Sequence, residues 1–161
     1  MKKLTHLDKK GKIKMVDVSK KEETYREASA CATVLMKKDT LALIRKNKLS
    51  KGDCLATAKI AGIMAAKKVS ELIPLTHPIE ITDCVIDFKF SNKGIKIFST
   101  VKTKAVTGVE MEALTAVALA GLTIYDMAKG VDRGITIKDI CLLEKKGGKS
   151  GYWKRREDYS G

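Results

Sequence analysis

The chain has 161 residues, of which 44% are hydrophobic and 32% are charged. This length suits one domain, and the apolar content together with only two prolines excludes a disordered or collagen-like chain. The formal net charge of +13 predicts attraction to polyanions, whether nucleic acid, anionic lipid or a phosphorylated small molecule.

Cysteine and histidine spacing bears on metal sites and on the cellular compartment. The four cysteines form no CxxC pair, and neither His6 nor His77 lies near a cysteine in the sequence. This spacing excludes a typical zinc site and a secreted disulfide framework. No apolar stretch follows the first lysines, and the uncharged run at residues 113–125 is too short to cross a bilayer. We therefore expect a soluble, cytoplasmic protein with no metal site and no membrane partner.

The first half of the chain predicts one strand followed by two helices. Small apolar residues alternate over residues 26–36, which is typical of a strand with one buried face. We expect Asp39 to cap a short helix at residues 40–46, and Asp53 to cap a longer helix that reaches about residue 68. The longer helix is rich in alanine, which suits close packing against another element.

A rigid loop follows, and then a hairpin. Pro74 and Pro78 each fix a backbone φ angle and lack an N–H donor, so the loop between them is non-helical and holds His77 in place. Residues 79–91 and 94–104 read as two strands of a β-hairpin, joined by a turn that contains a glycine.

The last predicted elements are a long helix and a strand. Residues 109–129 form the helix, which Gly130 ends, and residues 135–144 form the strand. The order β, α, β, β, α, β predicts an α+β, ferredoxin-like fold, in which an antiparallel sheet carries helices on one face. We expect a single domain over residues 1–161, with a core at about 4–144 and a glycine-rich basic tail at 145–161.

Charged residues on the long helix are the first candidate site. At about 100° per residue, Glu112 and Asp126 lie within roughly 40° of each other, and Lys129 lies about 60° from Asp126. These residues could form a functional polar stripe. They could equally be an ordinary surface ion pair, with Lys51 a surface lysine and His77 a loop histidine bound to backbone.

Two further hypotheses come from the tail and from the charge. Gly-Lys-Ser at residues 148–150 suggests a phosphate loop, but the full Walker pattern needs glycine where Leu143 stands and a helix afterwards. Lys149 could still close over an anion through flexible backbone. The fold order and the net charge also suggest an RNA-binding module as the alternative function, although the aromatic signature of such modules is missing.

Several ungapped segments of the chain closely resemble the MoaC family of cyclic pyranopterin monophosphate synthases. They are residues 15–19 (MVDVS), 51–53 (KGD), 56–67 (ATAKIAGIMAAK), 71–78 (ELIPLTHP), 107–116 (TGVEMEALTA), 122–127 (LTIYDM) and 147–151 (GGKSG). The resemblance runs in order from residue 4 to about residue 151. It implies a lyase of molybdenum cofactor biosynthesis that converts 3′,8-cyclo-7,8-dihydroguanosine triphosphate to cyclic pyranopterin monophosphate and pyrophosphate.

The same resemblance implies the site and the assembly. The catalytic residues would be Asp126, Lys51, Lys129 and His77. The substrate-binding set would be Leu75, Thr76, His77, Met111, Glu112, Glu110, Lys67, Lys149 and Arg26. Thr76 stands where the family usually has cysteine, which argues against a required thiol. Family members are homohexamers, trimers of dimers with the site near a dimer interface.

The implied chemistry suits these residue types. Lysines offset the charge of a triphosphate, and lysines crowded together are expected to have lowered pKa values that allow proton transfer near neutral pH. The carboxylates could orient the lysines, move protons, or bind a guanine-like N–H edge. We expect no required cofactor, although Mg²⁺ could accompany the triphosphate. We expect no nucleic-acid partner.

Overall fold

The structure is a computed structural model that describes residue 7 and residues 10–156. The strands are β1 (Thr24–Leu35), β2 (Asp83–Phe90), β3 (Gly94–Ala105), β4 (Thr136–Lys146) and β5 (Trp153–Lys154). The helices are α1 (Lys38–Arg45), α2 (Cys54–Ala66), α3 (Val69–Leu72) and α4 (Glu110–Ala128).

The five strands form one antiparallel sheet in the order β2-β3-β1-β4-β5. This confirms the predicted α+β, ferredoxin-like fold, since β1 lies between β3 and β4 and the two long helices, α2 and α4, pack against the same sheet. Two features differ from the sequence prediction. A short helix, α3, precedes the proline loop, and β5 arises within the predicted tail, where it pairs with the end of β4.

The core lies between the helices and one face of the sheet. Alternate residues of β1, from Ala28 to Val34, are fully buried, as the period-two pattern predicts. On β3 the buried set includes Ile97 and Ser99, and the Ser99 hydroxyl donates a 2.8 Å hydrogen bond to the Ala113 carbonyl of α4. The helices therefore cover the face that carries the small apolar side chains, and the other face stays open.

A side-chain cap marks the start of α2 but not the start of α1. Asp53 caps α2 as predicted, because its carboxylate accepts a 3.0 Å hydrogen bond from the Ala56 N–H. The prediction that Asp39 caps α1 is wrong. That helix begins at Lys38, and Asp39 lies in its first turn, where a carboxylate is favoured by the helix dipole.

Helix α4 is long and apolar enough to cross a membrane by length and composition alone. Within the described part of the chain it packs against α2 and against strands β1, β3 and β4. Its buried apolar side chains, from Ala113 to Ala128, belong to the hydrophobic core cluster. In this fold α4 is the central core helix.

Gly62 lies where α2 crosses α4, and this position predicts a packing effect. A Cβ added there would overlap the Ile86 side chain and would lie 2.7 Å from the Ala116 carbonyl oxygen, which is backbone and cannot turn away. We expect Gly62→Ala to lower the free energy of unfolding by about 1–3 kcal/mol, despite the better helix propensity of alanine. Urea unfolding measures the change. Gly130→Ala is the control, because nothing lies within 4 Å of its added Cβ, and an equal loss there would contradict the prediction.

Candidate active site

A compact ionic group stands at the carboxyl end of α4. Lys51 Nζ lies 2.8 Å from Asp126 Oδ2, and Lys129 Nζ lies 2.7 Å from Asp126 Oδ1. Each carboxylate oxygen therefore receives its own ammonium group. We call Lys51, Asp126 and Lys129 the Asp126 cluster. All three side chains are about half exposed.

Local structure brings Lys51 to α4. The turn before α2 holds Gly52 at a φ of +93°, a conformation that glycine adopts readily, and Asp53 then starts the helix. Because α2 and α4 pack together, the start of α2 lies beside the end of α4. Lys51 Nζ also donates a 2.8 Å hydrogen bond to the Asp126 carbonyl, where a cation complements the helix dipole.

The two lysines set the protonation state of the cluster. Hydrogen bonds from Lys129 and Lys51 lower the pKa of Asp126 to about 2, so this carboxylate is ionised throughout the neutral range. The same hydrogen bond raises the pKa of Lys129. The expectation of lowered lysine pKa values is therefore wrong for Lys129, because a carboxylate lies between the two ammonium groups.

A cavity of about 460 Å³ lies near the amino end of α4. The loop residues Leu75, Thr76 and His77 line one side, and Thr107 to Glu112 line another. The segment from Val16 to Lys21 completes the wall. We call this cavity the Glu112 pocket. It brings together six of the predicted substrate-binding residues: Leu75, Thr76, His77, Glu110, Met111 and Glu112.

Backbone hydrogen bonds hold the proline loop. His77 Nε2 lies 2.8 Å from the Val16 carbonyl oxygen, so this nitrogen is the donor in the hydrogen bond. The Thr76 hydroxyl donates to the Ile73 carbonyl at 2.8 Å. Thr76 therefore stabilises its own loop, which is consistent with a position that needs no thiol.

Glu112 is the buried acid of the pocket, with only 4% of its surface exposed. Burial raises the pKa of its carboxyl to about 7, and the charge of nearby Glu110 acts in the same direction against an opposing backbone hydrogen bond. Glu110 itself is paired with Lys145 at 2.9 Å. Glu112 can therefore gain or lose a proton near neutral pH.

The raised pKa of Glu112 predicts a stability that falls as the pH rises. Between the ordinary value of 4.5 and the folded value of about 7, the unfolded chain loses a proton that the folded chain keeps. Stability therefore declines across that window and is level above it. The side chain of the Glu112→Gln variant cannot ionise, so the variant does not have this decline. The free energy of unfolding of the variant minus that of the parent should therefore be about 3 kcal/mol larger at pH 8 than at pH 4.

Urea unfolding of both proteins at the two pH values measures this difference. Glu80→Gln is the control, since Glu80 is exposed. An identical pH dependence in the Glu80 and Glu112 variants would contradict the assignment.

The start of β1 lies close to residues 147–151 (GGKSG), which we call the glycine-rich segment. Arg26 donates from Nε to the Ala105 carbonyl at 2.9 Å and from Nη2 to the Val106 carbonyl at 3.1 Å. A Cβ added at Gly148 would overlap the Arg26 guanidinium. Lys145 Nζ, which pairs with Glu110, also donates to the Ser150 hydroxyl at 2.6 Å. The segment therefore folds back toward the Glu112 pocket.

Two other predicted residues lie at exposed positions. Lys67 is the C-cap of α2, and Lys149 lies within the glycine-rich segment. The residues of the site that were not predicted from the sequence include Lys21, Thr107 and Lys145. Lys21 and Lys145 each belong to a Lys-Lys pair in a chain with 32 basic residues. No local signal separates them from surface lysines.

The structure does not bring all of the predicted stripe together. Glu112 and Asp126 are fourteen residues apart on one helix, which is about 21 Å at roughly 1.5 Å per residue. Glu112 is buried, whereas 54% of the Asp126 side chain is exposed. One chain thus carries two separate groups, the Asp126 cluster and the Glu112 pocket. Among the described residues, no group of three or more His, Cys, Asp or Glu side chains could hold a metal ion.

Comparison with known proteins gives a consistent family. The model of the MoaC family matches residues 15–148. A protein of Thermomicrobium roseum named cyclic pyranopterin monophosphate synthase is 52% identical over 98% of this chain and 96% of its own length. Proteins with the same name from Thermoanaerobacter sp. (strain X514) and Geobacter metallireducens are each 54% identical over 94% of this chain. They are matched over 98% and 96% of their own lengths, respectively.

Proposed function

Because the chain belongs to the MoaC family, we propose that it is a cyclic pyranopterin monophosphate synthase of molybdenum cofactor biosynthesis. As a lyase it converts 3′,8-cyclo-7,8-dihydroguanosine triphosphate to cyclic pyranopterin monophosphate and releases pyrophosphate. The observation that carries this proposal is the similarity to synthases at about half identity over nearly the whole chain. The enzyme works in the cytoplasm, which its four free cysteines support.

The Asp126 cluster supplies the charged half of the chemistry. Lys51 and Lys129 are proton donors and acceptors for the reacting groups and offset the charge of the departing pyrophosphate. Asp126 positions both ammonium groups, and its ionised carboxylate raises the pKa of Lys129. Arg26, Lys67 and Lys149 add positive charge for the triphosphate.

The Glu112 pocket supplies the half that recognises the ring system. Its walls combine the apolar Leu75 and Met111 with the carboxyls of Glu110 and Glu112, which suits a flat heterocycle with N–H donors at its edge. His77 is held by the Val16 carbonyl and faces the same cavity. A Glu112 carboxyl with a pKa near neutrality can donate or accept a proton at a ring nitrogen.

A site built from both groups needs two chains. The groups lie about 21 Å apart along α4, farther than one substrate molecule of this kind is expected to bridge within a chain. The outer surface of the helix layer exposes Ile60, Met64 and Leu122 at 60%, 54% and 53%. Such a surface on two neighbouring helices supports burial against a second copy.

We therefore assign the Asp126 cluster of one chain and the Glu112 pocket of its neighbour to one active site. In an antiparallel, two-fold dimer each chain gives one group to each of two sites. Three such dimers form the homohexamer. The reaction requires no resident cofactor, and Mg²⁺ enters only with the triphosphate.

Complementation between inactive variants tests this shared site. Lys51→Ala and Glu112→Gln should each be nearly inactive. When the two are co-expressed, random pairing makes half of the dimers mixed, and each mixed dimer has one intact site. Activity should recover to about a quarter of the parent value. Pyrophosphate release by the purified mixture measures the recovery.

Co-expression of Lys51→Ala with Lys129→Ala is the matched control. Both changes lie in the same cluster of the same chain, so no mixed dimer has an intact site, and activity should stay low. Equal recovery in both mixtures, or none in either, would contradict the two-chain site.

The reaction itself is tested with purified 3′,8-cyclo-7,8-dihydroguanosine triphosphate. Enzyme treated with a chelator and kept reduced should release one pyrophosphate per substrate consumed, and an enzyme-free sample gives the background. No release with or without added Mg²⁺ would overturn the proposed function. Release only with Mg²⁺ would keep the function and contradict the proposed independence from a metal.

A further inference from the structure

A groove of about 880 Å³ lies away from both groups of the proposed active site. Its floor is formed by β1, β3 and β4, and the segment from Lys154 to Arg156 forms a wall. We call it the open-face groove. None of its lining residues belongs to the Asp126 cluster or to the Glu112 pocket. Its volume lies within the range of small-molecule sites in proteins.

Strand alternation places this groove on the sheet face opposite the helices. The fully buried alternate residues of β1, from Ala28 to Val34, and those of β3 that include Ser99 face α4, as the hydrogen bond from Ser99 to Ala113 shows. The intervening residues therefore point to the other face. On β1 these include Ser29 and Thr33, and on β3 they include Phe98. The two faces thus carry different chemistry.

Positive charge dominates the groove. Five basic side chains line it: Lys96, Lys138, Lys154, Arg155 and Arg156. The acidic side chains in its lining are Asp139 and Glu144. Both carboxylates are already paired with lysines, Asp139 with Lys138 at 3.3 Å and Glu144 with Lys146 at 3.4 Å. Among the residues that the structure describes, Lys154 and Arg156 have no carboxylate within ion-pair distance. The groove therefore complements an anion.

The floor favours a compact anion over a stacked base. The ammonium groups of Lys89 and Lys96 lie 5.2 Å and 5.6 Å from the centre of the Phe98 ring. A base that stacked on Phe98 would have to displace these cations. The Ser29 and Thr100 hydroxyls are hydrogen-bonded to each other at 3.0 Å, so one of the two keeps its O–H free to donate to a phosphate oxygen.

We propose that the open-face groove is a binding site for a compact polyvalent phosphate anion. The ligand class is inorganic triphosphate or the triphosphate group of a small nucleotide. Lys154 and Arg156 bind the phosphates from the wall, and Lys96 binds them from the floor. This site is separate from the proposed active site and goes beyond the proposed function.

Binding of inorganic triphosphate to the full chain, without divalent cations and at physiological ionic strength, tests this site. Trp153 is the only tryptophan and precedes Lys154 on β5, so its fluorescence reports on the groove. Lys154→Ala/Arg156→Ala should weaken binding at least about tenfold. Lys48→Ala/Arg133→Ala removes the same charge from exposed positions outside the groove, and its affinity should stay within about threefold.

Further measurements show which part of a nucleotide is bound and distinguish the open-face groove from the proposed active site. A nucleoside triphosphate should bind about as well as inorganic triphosphate, and the free nucleoside should not bind. Lys51→Ala should leave the fluorescence titration unchanged, and Lys154→Ala/Arg156→Ala should keep pyrophosphate release from the proposed substrate within about twofold.

Three results would overturn the proposal. Equal losses in the two double variants would show a general effect of net charge. The absence of saturable binding would exclude the site. Tighter binding of a single-stranded oligonucleotide, lost in Lys154→Ala/Arg156→Ala, would instead identify a nucleic-acid surface. None of these results depends on whether the proposed synthase activity is present.

Discussion

Asp126→Asn is expected to lower kcat for pyrophosphate release by about a thousandfold, within the range that positioned proton-transfer groups contribute. The carboxylate places one ammonium group on each oxygen, at 2.8 Å for Lys51 and 2.7 Å for Lys129. Asparagine keeps the shape but has one acceptor oxygen and no charge. At least one lysine then loses its position, and neither retains its ionic partner.

The fold should tolerate this change. The Asp126 side chain is 54% exposed, so its ion pairs add little to stability. Thermal unfolding should shift by less than about 2 °C. Steady-state kinetics at neutral pH with the triphosphate substrate measure the loss. A variant with normal kcat would exclude Asp126 as the organiser of the cluster.

Asp139→Asn is the matched control for Asp126→Asn. Asp139 is also about half exposed and also contacts a lysine, Lys138, at 3.3 Å. It has a φ of +54°, which asparagine tolerates well. Its variant should keep kcat within about twofold, because surface ion pairs contribute little. A similar loss in both variants would assign the effect to net charge rather than to the cluster.

The pH dependence of the Asp126 charge differs from that of Glu112 on the same helix. With a pKa lowered to about 2, Asp126 keeps its charge down to strongly acidic pH, and the stability from its ion pairs is lost only as the pH falls toward that value. Glu112, with a pKa raised to about 7, changes charge near neutrality. The pKa values of Asp126 and Glu112 are thus shifted in opposite directions, because Asp126 is exposed between two cations and Glu112 is buried.

Much of the fold follows from local sequence signals. Alternation over β1, the cap at Asp53 and the glycine of the hairpin turn each act within a few residues, and they suffice for the βαββαβ order. Strand β5 could not be predicted in this way. It is two residues long and exists because it pairs with β4, with the Arg155 N–H donating to the Leu143 carbonyl at 2.7 Å. Tryptophan favours strands, but the two residues Trp153 and Lys154 are too few to show the alternation that predicts one.

In the candidate site, local contacts could also be predicted from the sequence, whereas long-range contacts could not. Helical spacing predicted the contact between Asp126 and Lys129, which are three residues apart. The contact of Lys51 with Asp126 joins residues that are 75 positions apart, and only the family resemblance indicated it. Angular position on a helix also says nothing about depth, so Glu112 and Asp126 could share a stripe and still differ in burial.

The direction of the lysine pKa values shows the same limit. A sequence with many lysines predicts mutual repulsion, which lowers lysine pKa values. The fold instead inserts a carboxylate between two ammonium groups, and the pKa of Lys129 is raised. In the free enzyme Lys129 is therefore a cation, and the phosphates of the substrate would compete with Asp126 for its ammonium group.

Lys51→Arg and Lys129→Arg separate proton transfer from simple binding of phosphate. Guanidinium binds phosphate at least as well as ammonium, so substrate affinity should stay within about tenfold in both variants. Arginine does not give up its proton at neutral pH, so kcat should fall at least about a hundredfold if these lysines transfer protons. Geometry adds to the loss at Lys51, whose single ammonium donates to both Asp126 Oδ2 and the Asp126 carbonyl.

Lys149→Ala is the control for Lys51→Arg and Lys129→Arg, because Lys149 is exposed in the glycine-rich segment and lies outside the Asp126 cluster. If it only adds positive charge for the triphosphate, its loss should weaken substrate binding and leave most of kcat. Single-turnover kinetics with each variant, combined with direct binding of the substrate, separate affinity from the chemical step. Near-normal kcat in both arginine variants would show that Lys51 and Lys129 only neutralise phosphate, and the proton-transfer role would then pass to Glu112 and His77 in the neighbouring pocket.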